Sequence, residues 1–190
     1  RIGLSIFKND AYYAENALLT FGDGVFAGDL VWYTEGAETS VLTAYYPYSA
    51  SGMPETFAVQ ADQTEGYEES DLIAGTKSDV TPSSAAVTVG FKHLLSKIML
   101  DIDNQSGSEL TSVKLSGSRI SASVDLSSLT VAVDGSGSAE DITMQAETAG
   151  EQYRAIVIPQ TVAFTLTVTT ASGKTLTQNL ASVDLKQGGQ

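Results

Sequence analysis

Apolar and polar positions alternate with a period of two along much of the chain and outnumber helical periodicities, which predicts half-buried β-strands. Ile2, Leu4 and Ile6 fall on one face of the first segment, and Val87, Val89 and Phe91 on one face of another. Ile98, Leu100 and Ile102 alternate with Lys97, Met99, Asp101 and Asp103. Val131 and Val133 form a short pair, and Phe164, Leu166 and Val168 alternate with Thr165, Thr167 and Thr169. Residues 91–102 also fit a helical spacing through Leu94, Leu95, Ile98 and Ile102. Their second half alternates cleanly and nothing beside them caps a helix, so a strand with an irregular start is predicted. Turn signals separate the strands at Gly22-Asp23-Gly24, at Asp134-Gly135-Ser136-Gly137 and at Ser172-Gly173, the last closing a hairpin between Thr-rich strands. Short strands at this spacing predict β-sandwiches rather than a parallel α/β sheet.

Composition adds to the pattern. Ser and Thr number 22 and 20 while charged residues are only 17%, so hydroxyls take over much of the polar surface and suit pleated strands. At 190 residues and 42% hydrophobic the chain can bury a core as one large β domain or two small ones. Residues 76–86 form a polar stretch containing Pro82 between two apolar alternations, and the charge changes across it. Residues 1–90 carry 13 acidic and 3 basic side chains, residues 91–190 carry 10 and 7. Two modules are therefore expected: residues 1–85, acidic and rich in aromatics, and residues 86–190, dominated by Val, Leu, Ser and Thr. The net charge of −13 repels phosphate backbones and anionic lipid, which sets nucleic acid and membrane surfaces aside as partners. No apolar run approaches the roughly 18 to 20 residues of a membrane helix, which predicts no direct insertion of the mature domain. Without cysteine the chain has no disulfide, thiolate metal site or thiol nucleophile.

Candidate chemistry is sparse, and no enzyme is expected. His93 is the single histidine, placed where an apolar stretch begins, and no Gly-x-Ser-x-Gly elbow is present. The acidic run from Asp62 to Asp71 offers Asp62, Glu65, Glu68, Glu69 and Asp71 as oxygen donors for a calcium ion. Its spacing is not that of an EF-hand loop, so a solvated loop without metal is the expectation. Asp101 and Asp103 read as the outer face of a strand. Trp32, Tyr33, Tyr46 and Tyr48 could form a platform for a sugar ring, but consecutive aromatics on a strand point to opposite sides, which favours packing. Asn104-Gln105-Ser106 matches a glycosylation sequon, a pattern with little information in a Ser-rich chain. No cofactor is expected.

Four stretches stand in a recognisable order: Leu42-Thr43-Ala44-Tyr45-Tyr46-Pro47-Tyr48, then Asp62-Gln63 with Ser70-Asp71-Leu72-Ile73, then Phe91-Lys92-His93-Leu94-Leu95-Ser96-Lys97-Ile98, then Ile158-Pro159-Gln160. With the first strand, Arg1 to Phe7, the chain resembles the fimbrillin family of Bacteroidales, the FimA-like and Mfa-like surface proteins. The resemblance implies two transthyretin-like Greek-key β-sandwich modules, the second opening near residues 91–98. It implies a non-enzymatic fimbrial subunit or fimbria-associated adhesin, exported as an outer-membrane lipoprotein precursor to the cell surface. Its partners would be other fimbrial subunits joined by strand exchange, and a host protein or glycan. In such exchange the first strand is removed and an extended segment of the next subunit fills the groove, here lined by Ile2, Leu4 and Ile6. The resemblance also implies terminal strands beyond Arg1 and Gln190, and leaves open which terminus donates. A surface glycan-binding module on the aromatic platform is the alternative from another class, and a hydrolase is a distant third.

Overall fold

The computed structural model describes residues 1–34, 36 and 38–189. Among them, the regular structure is β-strand apart from one 3-10 turn at Glu68–Ser70. The strands of the first half are β1 (Ile2–Lys8), β2 (Ala11–Gly22), β3 (Val25–Ala27), β4 (Ser40–Tyr46), β5 (Thr56–Ala58), β6 (Ile73–Val80) and β7 (Lys92–His93). Next come β8 (Ser96–Asp101), β9 (Leu110–Arg119), β10 (Ser121–Asp125), β11 (Thr130–Val133), β12 (Ala139–Thr143) and β13 (Gln145–Thr148). Last are β14 (Gln152–Val157), β15 (Thr161–Val162), β16 (Thr165–Thr170), β17 (Thr175–Asn179) and β18 (Val183–Asp184). The all-β class follows the alternation, and residues 96–101 are strand rather than helix.

The chain divides into two compact units, residues 1–55, 72–94 and 124–130 in one and residues 56–71, 95–123 and 131–190 in the other. The division differs from a single cut after residue 85. Residues 86–94 stay with the first unit because Val87, Val89 and Phe91 pack on its sheet. Residues 56–71 go with the second, where the Gln63 side chain is bonded to the main chain of β14.

The first unit is built on one antiparallel sheet in the order β3-β2-β1-β4-β6-β7. Two-residue turns set its register. Asn9 and Asp10 (φ 50° and 59°) join β1 to β2, and Asp23 and Gly24 (φ 50° and 82°) join β2 to β3. Both positive φ values mark the hairpin turn whose twist matches the strands, and Asn, Asp and Gly are the residues that tolerate it. Ile2 and Ile6 are buried on one face of β1, together with Leu42 and Ala44 of β4 and Leu19 of β2.

The other face of β1 holds a polar network. Tyr45 is fully buried, opposite Gly3 in the β1–β4 register, and its hydroxyl donates to Asn16 Oδ1 at 2.6 Å. Asn16, left-handed at φ 53°, donates through Nδ2 to Ser49 O at 2.8 Å and through its main chain to Ser5 Oγ at 2.9 Å. Burial drives the Tyr45 phenol above its ordinary value.

One expected strand is absent. Residues 81–91 join no sheet, with a bend at residues 84 and 85, and only Lys92 and His93 pair, with Ala74 and Ile73. The alternation of Val87, Val89 and Phe91 is real, but it packs onto the face of the sheet instead of adding to its edge. Gly75 permits the crossing: a Cβ there would collide with the Gly90 carbonyl.

The second unit contains a four-stranded sheet, β12-β9-β16-β17, and a three-stranded sheet, β13-β14-β8. Val113, Leu115, Ile142 and Val168 from the first and Tyr153, Ala155 and Val157 from the second are buried. The Ser172-Gly173 turn closes the β16–β17 hairpin, with Gly173 at φ 81° and its amide bonded to Thr170 O at 2.9 Å. The Asp134 to Gly137 turn joins β11 to β12, which lie in different sheets, so it switches sheets instead of making a hairpin. Asp134 accepts from the Ser136 amide and hydroxyl, which lowers its pKa.

Gly3 carries a test of the first unit. A Cβ at this position would overlap the Tyr45 ring, lying 2.7 Å from Cζ and 2.9 Å from Asn16 Oδ1. Gly3→Ala should destabilise the chain by about 1 to 3 kcal/mol, the range for overpacking a fixed site. The urea midpoint should fall, and the double variant Gly3→Ala with Tyr45→Phe should lose less than the sum of its singles.

Candidate functional site

The feature best placed to act is an apolar groove of about 570 Å³ in the first unit. Its floor is the sheet face carrying Ile2, Leu4 and Ile6 of β1, Leu42 and Ala44 of β4 and Leu19 of β2. Its walls are the β3 strand with residues 28–32 on one side and residues 85–91 on the other. The latter form a strap. Residues 81–90 make no main-chain to main-chain hydrogen bond among the described residues, and Val87 and Val89 alone of residues 85–90 are half-buried. Its hold is therefore almost wholly hydrophobic.

Ile2, Leu4 and Ile6 thus line one concavity, as the alternation suggested. The backbone beside them is not vacant, however: β1 pairs with β2 along one edge and with β4 along the other.

Of the four aromatics weighed as a sugar platform, Trp32 and Tyr33 pack in one cluster and Tyr46 in another. Tyr33 is 4% exposed and donates its hydroxyl to Glu38 O at 2.9 Å and Val80 O at 3.2 Å. Trp32 and Tyr13 meet its ring edge-on, Lys8 lies 4.5 Å from its centroid, and Lys8 is ion-paired to Glu38. Tyr46 packs against the separate cluster of Ile2, Leu19 and Ala44, and Tyr48 is half-buried. A ring enclosed as Tyr33 is cannot offer a face to a sugar, which corrects its place in the platform.

The acidic loop does not converge on an ion. Among the described residues no group of three or more His, Asp or Glu side chains could hold a metal. Asp62 instead accepts from the Thr64 amide and hydroxyl at 3.0 and 2.7 Å, and these bonds depress its pKa. Glu68 and Glu69 open the 3-10 turn; with Glu65 they are exposed, and Asp71 is half-buried. His93 is exposed on β7. Asp101 closes β8 and Asp103 follows outside any strand, so the two do not share a strand face; both are exposed, and with Glu109 and Glu151 they border an open cleft of about 1020 Å³ in the second unit.

Comparison with known proteins separates family from fold. A profile described as fimbrillin-like matches residues 2–190. The chain belongs to the fimbrillin-like family. Among curated proteins none matches it. Among solved structures it is similar to a candidate cell adhesion protein from Bacteroides uniformis, with TM-score 0.76 and 20% identity over 95% of this chain and 81% of that one. A second, from Bacteroides ovatus, gives TM-score 0.76 and 20% identity over 98% and 78%. A fimbrial protein from Bacteroides ovatus gives TM-score 0.62 and 15% identity, covering 99% of this chain and 41% of that one. At these identities the structures establish the fold alone.

The motifs that carried the resemblance have structural work in the second unit of this fimbrillin-like chain. Gln63 is fully buried and its amide stands in for a strand. Nε2 donates to Ile156 O at 2.8 Å and to Gln60 O at 3.0 Å, while Oε1 accepts from Ile156 N at 2.9 Å. Buried Ser70 accepts from Gln60 N at 2.9 Å. Ser96 Oγ donates to Lys186 O at 2.6 Å, and the Gln160 amide clasps Ser118 and Arg119 at the end of β9. Sequence reasoning placed Gln63 in an acidic run and in one of the stretches carrying the resemblance, but assigned it no structural role. An uncharged amide beside Asp62, followed by the short polar Thr64, was the one available sign of a clamp.

Gln63→Leu leaves the Ile156 N–H and C=O buried without partners, and each such group costs about 1 to 3 kcal/mol. The variant should lose about 2 to 4 kcal/mol by urea unfolding. Asp62→Ala, on an exposed neighbour, should lower the urea midpoint far less than Gln63→Leu.

Proposed function

We propose that this chain is a non-enzymatic subunit of a surface fimbria, or a fimbria-associated adhesin, that acts through protein–protein assembly. The family match across residues 2–190 is the observation that carries the reading. The cell surface is the corresponding location, reached through export of an outer-membrane lipoprotein precursor. The similar structures, a cell adhesion protein and a fimbrial protein, support the same reading.

Assembly proceeds by strand exchange in the first unit. With β1 present, both edges of the slot are satisfied. Loss of β1 would expose the ladder groups of β2 and β4 together with the apolar floor of Leu19, Leu42 and Ala44. An incoming extended segment with apolar residues at alternate positions would regain main-chain bonds and side-chain burial in one step. Another fimbrial subunit is the partner that supplies it. Burial of Tyr33 removes support from the glycan-platform alternative.

A specific protease site placed between Asn9 and Asp10 tests the mechanism. Cleavage should release β1 and convert the chain into polymers that survive mild detergent and appear as filaments by electron microscopy. The uncut chain should form none. A cleaved chain that loses β1 and stays unpolymerised would refute strand exchange.

A further inference from the structure

The four-stranded sheet of the second unit ends in β17, which is bonded to β16 alone among the described residues. Its five residues, Thr175, Leu176, Thr177, Gln178 and Asn179, are all exposed, and Leu176 is 67% exposed. The direction of its main-chain groups follows from the hairpin. Thr170 N donates to Lys174 O at 2.9 Å and Leu180 N donates to Phe164 O at 2.8 Å. Hydrogen-bonded residues alternate in an antiparallel pair, so Leu176 and Gln178 also bond inward, opposite Val168 and Leu166. Thr175, Thr177 and Asn179 are left with their N–H and C=O groups turned away from β16. Gln178 Nε2 donates to Asn179 O at 2.9 Å, a side chain answering an acceptor that faces outward.

Sheet edges normally carry devices that block strand addition: charge, bulges, short length or a covering segment. The others here do. β3 and β5 have three residues each, and β7 has two, Lys92 and His93. β12 carries Glu140 and Asp141, and β13 carries Glu147. β2 beyond its contact with β3 is interrupted by Glu15 and left-handed Asn16. Lys97 N of β8 is taken by Gly189 O at 3.0 Å. β11 is four residues long with Val131 and Val133 half-buried. β17 has five residues, carries no charge or proline within it and keeps an unbroken register.

We propose that β17 is a self-association edge, adding antiparallel to β17 of a second copy about a two-fold axis at Thr177. The occupant follows from the register. Centring on Thr177 sets Thr175 against Asn179 of the copy and Thr177 against its twin, so all three outward-facing residues bond once Gln178 Nε2 gives up Asn179 O. Leu176 then faces Gln178 of the copy, and no charge meets its like. Self-pairing sets every outward-facing residue against another by symmetry, and the uncharged strand places nothing repulsive across the axis. Two four-stranded sheets become one of eight strands. The pairing is independent of strand exchange at β1 and uses the other unit.

The test is sedimentation equilibrium of the full chain across concentration, in detergent-free buffer. Mass should rise from 19.9 kDa toward twice that value. Raising salt from ~0.02 to ~0.15 M should strengthen association, since the −13 charge of each copy is then screened over ~8 Å. Thr177→Lys, which puts like charges at the axis, should weaken it about tenfold or more. Thr177→Pro removes an N–H that β16 does not use and should also leave a monomer, with an unfolding midpoint near the parent's. Because the chain lacks cysteine, Thr177→Cys gives a single thiol at the axis that should crosslink into a dimer on oxidation, unlike Ser136→Cys in an exposed turn. A parent that stays at 19.9 kDa throughout, a Thr177→Lys variant that associates like the parent, or equal crosslinking at positions 177 and 136 would each overturn the proposal. Failure here would leave polymerisation of the β1-cleaved chain unaffected.

Discussion

The first unit rests on an apolar sheet face that irregular chain covers. Ile2, Leu4, Ile6, Leu42 and Ala44 must leave water, and burial stabilises them by roughly 25 cal/mol per Å² of apolar area. Residues 28–32 and 85–91 provide that burial with side chains, while the strap's main chain gains no ladder bonds in return. A cover held in this way is separable from what it covers. The floor of the groove beneath the strap is β1 itself together with its neighbours β2 and β4, so the central strand of the sheet owes part of its burial to the strap.

Polar side chains hold the places that sheets leave unfinished. In the first unit Tyr45, Asn16 and Ser5 link β1, β2 and β4 across the face opposite the groove. In the second, Gln63 continues the ladder of β14 where β13 stops, and Gln160 does the same at the end of β9. No buried side-chain nitrogen or oxygen among the described residues lacks a partner. In a low-dielectric interior such networks are costly when incomplete and specifying when complete. With no cysteine to staple the chain, these clamps fix its register.

Legibility in the sequence followed how local each cause is. The strand of residues 2–8, the strand rather than helix at residues 96–101 and the Ser172-Gly173 hairpin were readable, because alternation and turn chemistry act within a few residues. Residues 87–91 alternate for the same apolar reason but are not a strand, since alternation reports a buried face and says nothing about a ladder partner. The joining of residues 56–71 to the second unit depends on Gln63 reaching Ile156, 93 positions away, which no local pattern encodes. Of the groove, Ile2, Leu4 and Ile6 were visible from periodicity, whereas the strap that walls it was mistaken for part of a sheet. The aromatic cluster signalled packing and sugar stacking alike, and only the enclosure of Tyr33 separates them.

Amide hydrogen exchange of the intact chain, read residue by residue, addresses the strap most directly. A segment held by side chains alone should exchange at Val87, Thr88 and Val89 close to unprotected rates, while the laddered amides of β1 and β4 exchange orders of magnitude more slowly. Protection of the strap equal to that of β4 would mean that it is hydrogen-bonded into the sheet, and the account of a separable cover over the groove would be wrong.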